Sequence, residues 1–165
     1  MSEETAPSPQ GRNRLIAIHV DQGSVGTHNP NVEHEREVAI FDILDGNAFA
    51  LDGRDDGPYA LTISIVDDRL SFAVANEQSE TLVTHLLSLT PLKRIMKDYF
   101  IVCDSYYEAI KTAPPSRIQA IDMGRRGLHD EGSRTLMERL SGKIDVDFDT
   151  ARRLFTLICA LHWKG

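Results

Sequence analysis

Apolar residues at alternate positions open the folded part of the chain. In "RLIAIHVD" (14–21), Ile16, Ile18 and Val20 lie on one side and Ala17 and His19 on the other, which predicts a half-buried strand. After a loop rich in turn formers, "NVEHEREVAIFDILDGN" (31–47) reads as a helix. Asn-Pro-Asn opens it, Glu33, Glu35 and Glu37 stand near its positive end, and Gly46 closes it. The clearest β signal is "YALTISIVDDRLSFAVANE" (59–77). Leu61, Ile63 and Ile65 alternate with Thr62 and Ser64, Leu70, Phe72 and Val74 alternate with small or polar residues, and Asp67-Asp68 fits a hairpin turn. "TLVTHLLSL" (81–89) extends the meander by one strand.

From Thr90 the period becomes helical. Thr90 is an expected N-cap and Pro91 the first helical residue. Leu92, Ile95, Met96, Tyr99, Cys103, Tyr106 and Ile110 then trace one face of a helix of about 20 residues, which "TAPPS" ends. A short helix (115–123) is expected to stop at Gly124 and another (about 131–141) at Gly142. The last, "TARRLFTLICALHW" (150–163), is apolar almost all round and reads as a buried central helix. The expected fold class is α+β, since strands and helices do not alternate after the meander: a mostly antiparallel sheet of about four strands with about five helices, the last four C-terminal and packed on one face.

Composition narrows this little. The 165 residues fit one domain (12–165), preceded by an acidic, small-residue segment (1–11) expected to be a flexible tail. A hydrophobic fraction of 41% supplies a core without metals or disulfides. Cys103 and Cys159 sit inside apolar helical patterns, as buried thiols in a reducing compartment do. With no secretory signal or membrane span, a cytoplasmic protein is expected. Charge is uneven: residues 1–89 hold 5 Lys/Arg against 15 Asp/Glu, and residues 90–165 hold 13 against 10. That argues against a general nucleic-acid binder and leaves open a local basic face in the second half.

Two basic stretches are candidates for anion binding. Lys93, Arg94 and Lys97 crowd the start of the long helix, against its dipole, where free amides and three cations make an anion site. In "MGRRGLHDEGSR" (123–134), Arg125 and Arg126 stand between two glycines. As a joint between helices, Gly124 is a C-cap, Gly127 a second reversal, and Asp130 or Ser133 a cap for the next helix; only the arginine pair is left unexplained. As a site, the turn grips phosphate through its amides and arginines. Its G-x-x-G is also similar to the nucleic-acid clamp of KH domains, although the strand found after the second helix there is missing here.

Other chemistries fail on spacing. His129, Asp130 and Glu131 are adjacent and diverge on a helix, and no H-E-x-x-H or C-x-x-C occurs, so no metal and no cofactor is implied. "DVDFDT" (145–150) lacks the glycine and glutamate of a calcium loop, and Asp149 is better read as the cap of the last helix. No G-x-S-x-G, Walker or dinucleotide fingerprint is present, and the last helices do not suit a helix-turn-helix.

The strings "NVEHEREVAIFDIL", "GPYALTISIVDDRL", "LSLTPLKRIMKDYF" and "AIDMGRRGLHDEGSRTLMERLSGKIDVDFDTARRLFTLICALHW" together resemble uncharacterised protein family 0262, a bacterial family of single-domain proteins, over about residues 14–165. The resemblance implies a small bacterial cytoplasmic protein and carries over no catalytic residue. The resulting expectation is a non-enzymatic interaction or regulatory module with an unknown protein partner. The alternative is a binder of a phosphate-bearing ligand (nucleotide, phosphometabolite or short RNA) through Lys93, Arg94, Lys97, Arg125 and Arg126. A third reading, an enzyme, requires a deep cleft holding groups such as His85, His129 and Asp130. A homodimer is expected if the last helix is left uncovered.

Overall fold

The computed structural model describes residues 11–21 and 30–162. Residues 1–10 of the expected tail, most of the loop before the first helix, and Trp163 lie outside the described residues. The elements run β1 (Leu15–Val20), α1 (Pro30–Asp45), β2 (Phe49–Leu51), β3 (Tyr59–Val66), β4 (Arg69–Ala75), β5 (Thr81–Ser88), α2 (Thr90–Thr112), α3 (Pro115–Leu140), β6 (Ile144–Val146) and α4 (Phe148–His162).

The fold is α+β, with four helices among the described residues rather than about five. Strands β1-β3-β4-β5 form one sheet in that order. The β3·β4 and β4·β5 pairs are antiparallel, and Asp67 and Asp68 turn the hairpin with φ of 51° and 66°, the positive values a two-residue turn needs. β1, however, pairs with β3 in parallel, so the sheet is mixed. Alternation gives no strand direction; α1 lies between β1 and β3 in the chain and supplies the long crossover that a parallel neighbour requires. The short β2 and β6 pair antiparallel as a second sheet. At three residues each they are too brief to show a period.

Two further corrections concern the helices. The joint expected at Gly124–Gly127 does not exist: α3 runs unbroken from Pro115 to Leu140, so there is no glycine-flanked turn, no KH-like loop, and no capping role for Asp130 or Ser133. Each glycine costs a helix interior up to about 1 kcal/mol, which packing against α2 and α4 outweighs. A Cβ at Gly124 or Gly127 would meet nothing within 4 Å, whereas one at Gly132 would lie 2.2 Å from the Phe155 ring. Gly132 is therefore the glycine that packing requires. The cap of α4 is Asp147, whose Oδ1 accepts the Thr150 amide at 3.0 Å, and not Asp149. At the start of α2 the cap position is Leu89, with Thr90 already helical.

Leu61, Ile63, Leu70, Phe72 and Val74 cover one sheet face with the core, and α4 contributes Leu154, Phe155, Leu157, Ile158 and Leu161 to it. No residue of α4 beyond Asp149 is exposed within the described part, so the helix is covered by its own chain and the argument it offered for a dimer lapses. Buried Asn47 ties β1 to the end of α1. Its Oδ1 accepts the Leu15 amide at 2.7 Å, and its Nδ2 donates to the carbonyls of Leu15 at 3.1 Å and Ile43 at 2.7 Å. The next amide, Ala48, donates to Thr150 Oγ1 at 3.1 Å, fixing the end of α1 against the start of α4.

The continuous helix makes opposite predictions for its glycines. Gly124→Ala and Gly127→Ala should each raise the unfolding free energy by about 0.5–1 kcal/mol, whereas Gly132→Ala should lower it by about 1–3 kcal/mol through overpacking against Phe155. Urea melts of the three variants check this; a loss at Gly124 would restore the joint.

Candidate functional site

A cleft of about 490 Å³ opens between α1, α3 and α4, with Tyr99 of α2 at its base. Four arginines line it: Arg125 and Arg126 from α3, Arg152 and Arg153 from α4. Glu35 and Asp42 from α1 and Asp149 from α4 put carboxylates on the same walls, so the site is mixed in charge rather than uniformly basic.

The arginines are held in different ways. Arg125 donates to Asp122 Oδ1 from Nε (3.1 Å) and Nη2 (2.6 Å), and its guanidinium lies 4.4 Å from the centroid of the Tyr106 ring. Arg126 Nε reaches the other oxygen of Asp122 at 3.0 Å while its side chain stays 71% exposed. One carboxylate thus orients both guanidiniums, and the hydrogen bond from Arg125 draws the Asp122 pKa down. Arg153 donates to the Gly46 carbonyl at 3.2 Å, closing the negative end of α1. Arg152 Nε stands 3.3 Å from Asp130 Oδ1.

His129 is the buried polar member of the cleft, only 9% exposed. Its ring packs edge-on against Tyr99 (5.4 Å between centroids) and Phe155 (5.1 Å). Nε2 lies 2.7 Å from Thr156 Oγ1. Burial, reinforced by the charge of Arg152, pushes its pKa down to about 4, so the imidazole is neutral at pH 7. Beside the cleft, sharing Glu35, Tyr99 and Thr156 as walls, a small cavity is lined by both Cys103 and Cys159. Both are free thiols; burial raises the Cys103 pKa to about 11 and holds that of Cys159 well above the ordinary thiol value. Tyr107 donates to Glu35 at the same place.

The five cations singled out in the sequence fall into two groups. Arg125 and Arg126 reach the cleft. Lys93 pairs with Asp68 at the β3–β4 turn, and Arg94 and Lys97 are exposed. Tyr106, over which Arg125 stacks, is thirteen residues beyond Lys93 on α2, roughly 20 Å at about 1.5 Å per residue. His129 and Asp130 lie at the cleft or beside it. His85 does not: it is on β5 opposite Phe72, where burial and Lys143 lower its pKa. Among the described residues no group of three or more His, Cys, Asp and Glu could hold a metal ion, and no helix is long and apolar enough to cross a membrane.

Residues 12–164 match the model of the Uncharacterised protein family (UPF0262). The chain belongs to that family. It is 58% identical over 165 residues to a UPF0262 protein of Nitrobacter winogradskyi, covering 100% of this chain and 99% of that one. A relative from Mesorhizobium japonicum is 60% identical over 159 residues (96% and 98% of the two chains), and one from Methylobacterium radiotolerans 58% over 160 (97% and 99%). No solved structure matches.

Arg152 and Arg153 are the cleft-lining arginines of this UPF0262 chain that the sequence patterns did not single out. The signal was present: two adjacent cations inside a helix that is otherwise apolar. Thr156, which orients His129, carries no signal of its own.

The neutral imidazole has a consequence for stability. The unfolded chain takes up a proton near the ordinary pKa of about 6.5, but the folded chain does so only near 4. The contribution of neutral His129 is therefore complete above pH 6.5 and falls as the pH drops towards 4, by at most about 3 kcal/mol. Urea melts across this range should show a shallower decline for His129→Gln than for wild type; equal slopes would mean that His129 is not held neutral.

Proposed function

We propose that this UPF0262 protein is a non-enzymatic binding module whose cleft takes a small ligand bearing an oxyanion, a phosphate group foremost. The observation that supports this most is the convergence of Arg125, Arg126, Arg152 and Arg153, from two helices, on one cleft with a buried neutral imidazole. Guanidinium forks suit planar, bidentate recognition of carboxylate and phosphate oxygens, and a half-buried setting strengthens such bonds. The size of the cleft falls in the range that encloses small organic ligands, roughly 300–1,000 Å³. Its carboxylates leave room for hydroxyl or amino groups on the rest of the ligand.

A protein partner is the second reading. It is supported by an apolar ridge on α1, where Val38, Phe41 (70% exposed) and Leu44 stand on the surface and Val38 also lines the cleft. Such a partner would read the ridge and the cleft together.

A thermal-melt screen against nucleotides, phosphorylated metabolites and polyphosphate separates the two. A ligand at 100 times its Kd should add about 2.7 kcal/mol, or roughly 5–10 °C for a chain of this size. The shift should vanish in Arg126→Ala/Arg152→Ala, whose side chains are exposed enough to be lost without unfolding. A flat screen with an intact cooperative melt counts against the ligand reading.

A further inference from the structure

The outer walls of the cleft carry opposite charge. Helices α1 and α3 each pack along α4, and the cleft lies between them. The α1 wall presents Glu35 and Asp42, both half-buried, on either side of Val38 and Ala39. Their spacing in sequence puts the two carboxylates about 10 Å apart along the helix. The α3 wall presents Arg125 and Arg126, and α4 adds Arg152 and Arg153. These cations take their partners elsewhere: Arg125 and Arg126 pair with Asp122, Arg152 with Asp130, and Arg153 donates to the Gly46 carbonyl. Among the described residues no ion pair crosses from the arginines to the α1 carboxylates. Asp42 has no side-chain hydrogen bond or ion pair there, and Glu35 accepts only the Tyr107 hydroxyl, a neutral donor.

Two half-buried carboxylates thus face a group of guanidiniums across open space, with no cation of the chain brought over to meet them. A ligand that carries only an oxyanion gains the arginines and meets like charge on α1. A ligand that also carries an ammonium group spans the cleft and complements both walls. We propose that the cleft takes a dipolar ligand, its phosphate against α3 and α4 and a primary ammonium against Glu35 and Asp42; the inference rests on the oxyanion reading of the cleft. Repulsion from α1 is the selective element, because it penalises anions that lack the ammonium. An aminoalkyl phosphate is the simplest ligand of this class, and the volume of the cleft well exceeds one phosphate group.

Titration calorimetry of the full chain at pH 8 tests this with O-phosphoethanolamine, ethyl phosphate and ethanolamine at matched ionic strength. At this pH a primary alkylamine keeps its proton and a phosphomonoester carries about two negative charges. The expected result is that phosphoethanolamine binds at least about tenfold more tightly than ethyl phosphate, with ethanolamine unbound up to about 10 mM. In Glu35→Gln/Asp42→Asn the preference should fall below about threefold, while ethyl phosphate binds more tightly because like charge has been removed. Equal affinities for the two phosphates in the wild type would overturn the dipolar ligand and leave the oxyanion reading standing. Absence of binding by both phosphates up to about 10 mM, or ethanolamine binding as tightly as phosphoethanolamine, would overturn both readings. A preference retained in the folded double variant would overturn the placement of the ammonium against α1. Should that variant fail to fold, the wild-type ratio of the two phosphates decides by itself.

Discussion

The seating of the Phe155 ring on Gly132 is the contact on which the rest of the site depends. No side chain at position 132 would leave room for the ring. The close approach brings α4 against α3, and the ring then becomes one of the two walls that hold His129 upright, Tyr99 being the other. On the same two helices, two residues before Gly132 and three before Phe155, stand Asp130 and Arg152, 3.3 Å apart. The far side of α4 is set by a separate lock, in which Asn47 binds the end of α1 to β1 and Ala48 donates to Thr150. A cleft with three helical walls results, and each wall is fixed by buried hydrogen bonds or tight packing rather than by loops.

Electrostatics then decide what such walls hold. Arginines within the cleft are drawn from two helices that repel one another least when carboxylates stand between them. Asp122 serves Arg125 and Arg126, and Asp130 serves Arg152. Those pairs are partly exposed and add little to stability on their own. Their effect is geometric, since a shared carboxylate orients two guanidiniums at once. By contrast, the basic start of α2 has Lys93 committed to Asp68 and its other two cations in solvent, with no wall opposite them.

Much of the fold was legible because long strands and helices repeat their apolar positions many times. β3, β4 and β5 could be placed from alternation, and α1 and α2 from their periodic faces and proline or acidic starts. Strand direction was not legible, since a period of two looks the same either way, and the parallel β1·β3 pair depends on a crossover that only the assembled fold reveals. The break expected in α3 came from reading Gly124 and Gly127 as stops, where tertiary packing overrode a local penalty of about 1 kcal/mol each. At the site, Arg125 and Arg126 stood out in the sequence for a turn that is not there, yet they do line the cleft. Gly132, in the same dozen residues, gave no sign that it, and not its two neighbours, was the glycine under constraint. Arg152 and Arg153 were hidden by the apolar run around them. Asp147 and Asp149, two residues apart, could not be told apart as caps without the helix start itself.

The account's central claim is that α3 and α4 together form one oxyanion site. The most direct measurement tracks the arginine Nε–Hε resonances of the ¹⁵N-labelled protein while glycerol 3-phosphate is titrated in. The account predicts that Arg125, Arg126 and Arg152 shift together along a single binding isotherm. Shifts confined to Arg94 and the backbone amides at the start of α2 would contradict it, because the anion would then be bound where the helix begins and not where the two helices meet.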